Sequence, residues 1–125
     1  MALRTLDAGR AEAVQALCEL IVPGSSRVGP VVYVDAVLAG MPPPVREGAL
    51  AAIDTLAPAA AQGVDALAEH ASTPEFGFVR ALAIEAFYSD FVAPGNEGPG
   101  AWSEIDFNSP LATRLNKDWS YLGIA

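Results

Sequence analysis

The sequence predicts an all-α fold: a small bundle of about four to five helices over residues 1–93, continued in the same domain by a Gly/Pro hinge and an irregular aromatic tail over 94–125. Three observations carry this. Apolar residues recur at spacings of three and four, the period of one helix face. Proline and glycine clusters separate these stripes at intervals suited to short connections. The large aromatic groups are displaced to one end: residues 1–75 hold only Tyr33, and residues 76–125 hold the other nine. At 125 residues the chain can bury roughly two-thirds of its unfolded surface.

Asp7 is placed to N-cap a first helix whose stripe is Ala11, Val14, Leu17, Cys18 and Ile21. Pro23-Gly24 ends it, and SSRVGP forms a loop with Pro30 opening the next element. VVYVDAVLAG has the β-branched content of a strand, but Val31, Val34, Val37 and Leu38 fit one helical face and Gly40 fits the stop, so the segment is read as helix. Pro42, Pro43 and Pro44 predict an extended corner. Val45, Ala49, Ala52, Ile53 and Leu56 mark a third helix that ends before Pro58. A short helix over Gln62–His70 carries Val64 and Leu67. Thr73 caps the last one, with Pro74 and Glu75 in its first turn, the stripe Val79, Leu82, Ala83, Ala86 and Phe87, and an end near Phe91. APGNEGPG then supplies turn chemistry, read as a hinge that leads into no helix.

Charge narrows the function. Fifteen acidic residues against seven basic ones give a net charge of −8, which opposes phosphate backbones and anionic lipid surfaces. A protein or an uncharged small molecule is the expected partner. No apolar run reaches the ~20 residues needed to span a bilayer.

Few residues offer chemistry. His70 is the only histidine and falls at a helix end, where a capping or solvated role accounts for it. Cys18, the only cysteine, lies on the apolar stripe of the first helix as a small buried hydrophobe. Asp65 and Glu69 share a helix face without further ligands, and Glu104 and Asp106 flank Ile105 as ordinary acidic surface. The glycines of PGNEGPG lack the strand, helix and lysine of a phosphate loop. The residues thus predict no catalytic group, no metal site and no cofactor held by this chain.

The tail is the remaining candidate. Trp102, Phe107, Trp119 and Tyr121 follow no period, so either they fold back to seal the bundle or several face outward as partner anchors together with Tyr88. Sugar stacking on an indole face is a third option.

The opening ALCELIVPG followed by VVYVDAVLAG, the segment EAFYSDFVAPGNEGPGAWSEIDF and the closing KDWSYLGI resemble the gluconate 2-dehydrogenase subunit 3 family. The resemblance implies a small, chaperone-like accessory subunit without catalytic groups. It implies a hetero-oligomer with a large glucose–methanol–choline-type flavoprotein, which carries the FAD and oxidises a sugar, glycoside or polyol. Family members often begin with a twin-arginine export signal that is not seen here, so a cytoplasmic location is expected, with export alongside a signal-bearing partner as the alternative. The competing functional reading is a free-standing helical module that binds another protein or a small apolar ligand.

Overall fold

A computed structural model describes residues 2–105 and 119–124. Among them six α-helices follow in order: α1 Ala8–Ile21, α2 Pro30–Ala39, α3 Pro43–Gln62, α4 Val64–Ala68, α5 Pro74–Tyr88 and α6 Ala101–Glu104. Two short 3-10 turns, Ser25–Val28 and Ser120–Leu122, complete the secondary structure, and the described residues contain no strand. The all-α class expected from the periodicity is the observed one.

The long helix α3 is the floor on which α1, α4 and α5 pack, while α2 lies against α1, α3 and α5. Its core face is built largely from small residues, Ala49, Ala52, Ala59 and Ala60, beside the fully buried Ile53 and Leu56. Small contact residues let helix axes approach closely. Leu17 and Cys18 from α1 and Leu38 from α2 fill the space between.

Local signals set most boundaries. The Asp7 carboxylate accepts from the Arg10 N–H at 2.8 Å and starts α1. Glu19 organises the following loop by accepting from the N–H groups of Gly24 and Ser26 and from the Ser26 hydroxyl. Those bonds hold its carboxyl below the usual range, the Ser26 hydroxyl contributing most. Gly29, at φ +70°, packs so closely on Ala93 that an added Cβ would lie 2.7 Å from it, and Pro30 then opens α2. The β-branched run is helical, as read, because nearly its whole circumference is covered. Arg46 closes that helix by donating to the carbonyls of Leu38, Ala39 and Met41.

Three boundaries differ from expectation. The proline corner is shorter: only Pro42 is extended, and Pro43 and Pro44 occupy the first turn of α3, where a missing N–H costs nothing. The helix also does not end before Pro58 but continues to Gln62. Pro58 faces solvent, so the Asp54 carbonyl it leaves without a helical donor is open to water, while Ala59 and Ala60 continue the buried stripe. Gly63, at φ +110°, makes the actual break, and α4 spans only Val64–Ala68. Last, α5 stops at Tyr88 rather than near Phe91, because Asp90 takes a left-handed φ of 66°.

An interior helical proline costs about 3 kcal/mol relative to alanine in an exposed helix. Pro58→Ala is therefore expected to stabilise the folded chain by about 1–3 kcal/mol, the lower end reflecting the entropy that proline removes from the unfolded state. Chemical denaturation of the two proteins, with unchanged slopes, is the check. No gain would mean that α3 does not run intact through Pro58.

Candidate protein-interaction surface

The left-handed turn at Asp90 directs Phe91 into the core, where it is fully buried. Its ring meets Tyr33 at 5.2 Å and Trp119 at 5.4 Å, both edge-on, and Trp119 lies 6.2 Å from Tyr121. Edge-to-face pairs of this kind contribute beyond their buried area. The four rings form a ladder from the bundle interior to the surface. The buried Tyr33 ends that ladder with a hydroxyl interacting with Glu85 and Tyr121. Its pKa is pushed up by burial first, then by the Glu85 charge.

The intervening segment is strapped to the loop after α1. Ala93 N–H donates to the Val28 carbonyl at 2.8 Å, and the Asn96 side chain donates to the Arg27 carbonyl at 3.0 Å. The Arg27 guanidinium donates to the Pro99 carbonyl and the Glu104 carboxylate, with its centre 5.5 Å from the Phe87 ring centroid. Contrary to expectation, the glycine-rich stretch does lead into a helix: Gly100 is the N-cap of α6. The Asp90 carboxylate accepts from the Trp102 N–H at 3.1 Å, and a Cβ on Gly100 would sit 2.1 Å from that same oxygen. Only glycine fits there.

The residues expected at a partner interface separate into three groups. Tyr88 and Tyr121 are exposed, at 47% and 68%. Trp102 and Trp119 are half-buried: the Trp102 indole donates to the Tyr88 carbonyl at 3.0 Å, and Trp119 packs on the core through Phe91. Phe107 lies outside the described residues. Tyr88 stands one turn after Glu85 on α5, and both Glu85 and Tyr121 lie near enough to the Tyr33 phenol to raise its pKa. Tyr88, Trp102, Trp119 and Tyr121 are thereby gathered around the C-terminal half of α5.

A further part of this surface was not foreseen. Phe78, Ala81, Glu85 and Tyr88 are spaced three, four and three apart, and all four are exposed along about 15 Å of α5. At its N-terminal end Phe78 borders a cleft of about 280 Å³ with Val45, Ala49, Ala52 and Pro74. The signal for it is present in the sequence: α5 carries only three charged residues, Glu75, Arg80 and Glu85, among fifteen. An amphipathic helix buries one apolar face and leaves the other polar, whereas here the outer face mixes Phe78, Ala81 and Tyr88 with the exposed charges of Arg80 and Glu85. The helix covers a single face, with Val79, Leu82, Ala83, Ala86 and Phe87.

The groups considered for chemistry are dispersed. His70 follows α4, and its carbonyl accepts from the Thr73 N–H and hydroxyl as part of the cap of α5. Asp65 and Glu69 are exposed, and no set of three His, Cys, Asp or Glu residues among the described ones is arranged to hold a metal. Cys18 is buried, and desolvation pushes its thiol up to about 12.

Two outcomes follow from this geometry. Cys18 stays a thiol in the folded protein, so iodoacetamide at pH 8 should leave it unmodified until denaturant is added; its contribution to stability is complete below the unfolded thiol pKa near 9 and is lost progressively above it. Alkylation of the native chain at a free-thiol rate would contradict this placement. Gly100→Ala should displace Trp102 from the Asp90 cap and red-shift its emission in a Trp119→Phe background. An unshifted spectrum would contradict the fit at Gly100.

Neither the known family profiles, nor the curated proteins, nor the solved structures include a match to this chain.

Proposed function

We propose that this chain is a non-catalytic small subunit that binds and stabilises a large FAD-dependent oxidoreductase of the glucose–methanol–choline type, acting on a sugar, glycoside or polyol. The observation that carries the binding role is the exposed strip of α5, where Phe78, Ala81 and Tyr88 are interrupted only by Glu85, continued by Trp102 and Tyr121. Tyrosine and tryptophan around an apolar helix face have the composition of an interface hot spot. The class of partner rests on the resemblance of ALCELIVPG, VVYVDAVLAG and the segment around EAFYSDFVAPGNEGPG to the gluconate 2-dehydrogenase subunit 3 family.

An accessory role also agrees with how the chain uses its polar groups. Glu19, Asp35 and Asp90 accept backbone N–H groups, and the glycine-rich stretch caps a helix and anchors a loop. In this reading the flavin lies in the partner, and the small subunit contributes a preformed docking face. Covering that face stabilises whichever conformation of the partner is complementary to it.

Purification of the tagged chain from its native host, with an absorption spectrum of what accompanies it, tests the partner class. A flavoprotein bound in stoichiometric amount is expected, with the chain alone colourless. FAD retained by the isolated polypeptide would refute the accessory reading. Within the complex, Tyr88→Ala and Tyr121→Ala should each weaken assembly by about 2 kcal/mol, roughly thirtyfold, while leaving the melting of the isolated chain nearly unchanged. Full affinity in both variants would remove the strip as the docking face.

A further inference from the structure

Asp35 is the single charged residue of α2 and is only 3% exposed. A buried carboxylate is costly unless hydrogen bonds compensate it. Here three consecutive backbone N–H groups converge on it: Arg4 at 2.9 Å on one oxygen, Thr5 at 2.8 Å and Leu6 at 2.9 Å on the other. None of these belongs to α1, which begins at Ala8 and has its own cap in Asp7. Asp35 therefore fixes the path of the segment ahead of the helix rather than the helix itself.

That path decides where the Arg4 side chain goes. Its guanidinium crosses to the far end of the chain and donates to the Leu122 carbonyl at 2.7 Å. Leu122 is buried in the turn Ser120–Leu122, and Gly123 closes that turn at φ +72°. A Cβ on Gly123 would lie 2.8 Å from Arg4 Nη1, so the turn is shaped around the guanidinium. On one side of the turn Trp119 packs on Phe91; within it the Tyr121 ring lies 6.2 Å from that of Trp119.

We propose that Asp35 and Arg4 are positioning residues that seat the C-terminal aromatic turn, Trp119–Ile124, and thereby set how Tyr121 is presented on the α5 surface. The chain of effect runs from a carboxylate in α2, through the backbone of Arg4–Leu6, to the guanidinium and the last turn. Only its consequence for partner binding rests on the function proposed above. The relay itself is a property of the isolated chain.

A purely local role for Asp35, pinning the N-terminus so that Leu6 is buried, makes a different forecast, because Arg4 would then be dispensable to Trp119. The test uses the full-length chain with Trp102→Phe, which leaves Trp119 as its one indole. Asp35→Asn turns an acceptor into an amide that opposes at least one of the three N–H groups. Arg4→Met removes the guanidinium that grips Leu122 while keeping an unbranched apolar stem. Each should red-shift Trp119 emission and remove its protection from acrylamide, with far-UV helicity at the level of the parent. Gly123→Ala, acting from the other end, should give the same spectrum, and combining it with Arg4→Met should add little further. An unchanged Trp119 signal in Arg4→Met overturns the relay. So does a change in Asp35→Asn that occurs only together with loss of helicity. Should Asp35→Asn fail to fold, Arg4→Met and Gly123→Ala, neither of which alters a buried helix residue, decide the matter by the same spectrum.

Discussion

The turn at Asp90 is the constraint on which the rest of the molecule depends. A left-handed residue other than glycine is uncommon, and aspartate is among those that tolerate it best. Here one residue ends α5, drives Phe91 into the core and turns its own carboxylate back to cap Trp102. If Asp90 continued the helix, Phe91 would leave the position between Tyr33 and Trp119, and the ladder of rings would lose its middle rung. Gly100 is the complement of this arrangement, since any side chain there would collide with the carboxylate. Fold and candidate surface thus share a single hinge point, eleven residues after the last core valine of α5.

Three of the five cations among the described residues have structural tasks. Arg4 holds the last turn, Arg27 holds the strap at Pro99 and Glu104, and Arg46 closes α2. Arg10 pairs with Asp54 across α1 and α3, an exposed contact of the kind that contributes little to stability. The acids at Asp35, Asp90 and Glu19 bind backbone N–H groups. Such bonds are directional and fix chain paths in a way that screened surface pairs do not. The connections between helices, and not only the helices, are therefore specified.

What could be read from the sequence divides along the range of the interaction concerned. The caps at Asp7 and Thr73, the stop at Pro23-Gly24, Pro30 as a first helical residue and the stripes of α1, α3 and α5 are local, and each was legible. Pro58 misled because its effect depends on which way it faces, and it faces solvent while Ala59 and Ala60 remain buried. The Asp90 cap on Trp102 and the Asp35 grip on the N-terminal segment join residues far apart in the chain, and no periodicity announces them. The outer face of α5 is hidden for another reason: the stripe Val79, Leu82, Ala83, Ala86 and Phe87 already accounts for a helix, and nothing in that period marks Phe78 as exposed. The tail aromatics have no period of their own because Trp119 packs on Phe91, which in turn meets Tyr33, so contacts distant in sequence and not local spacing place them.

The composition of the core bears on why an apolar face is left outside at all. With α3 presenting alanines to its neighbours, the bundle closes tightly and has no room for larger groups such as Phe78 and Tyr88. Those rings remain on the surface of a chain whose net charge is −8. Exposed apolar strips ordinarily invite self-association, and like charge on every copy opposes it. Two copies meeting through α5 would also bury little more than one helix face each, below the roughly 800 Å² per partner of a stable interface. A larger protein that covers α5, the cleft beside Phe78 and the turn at Tyr121 together would reach that area. In the function proposed above the partner is therefore a different and bulkier protein, in preference to a second copy of the chain.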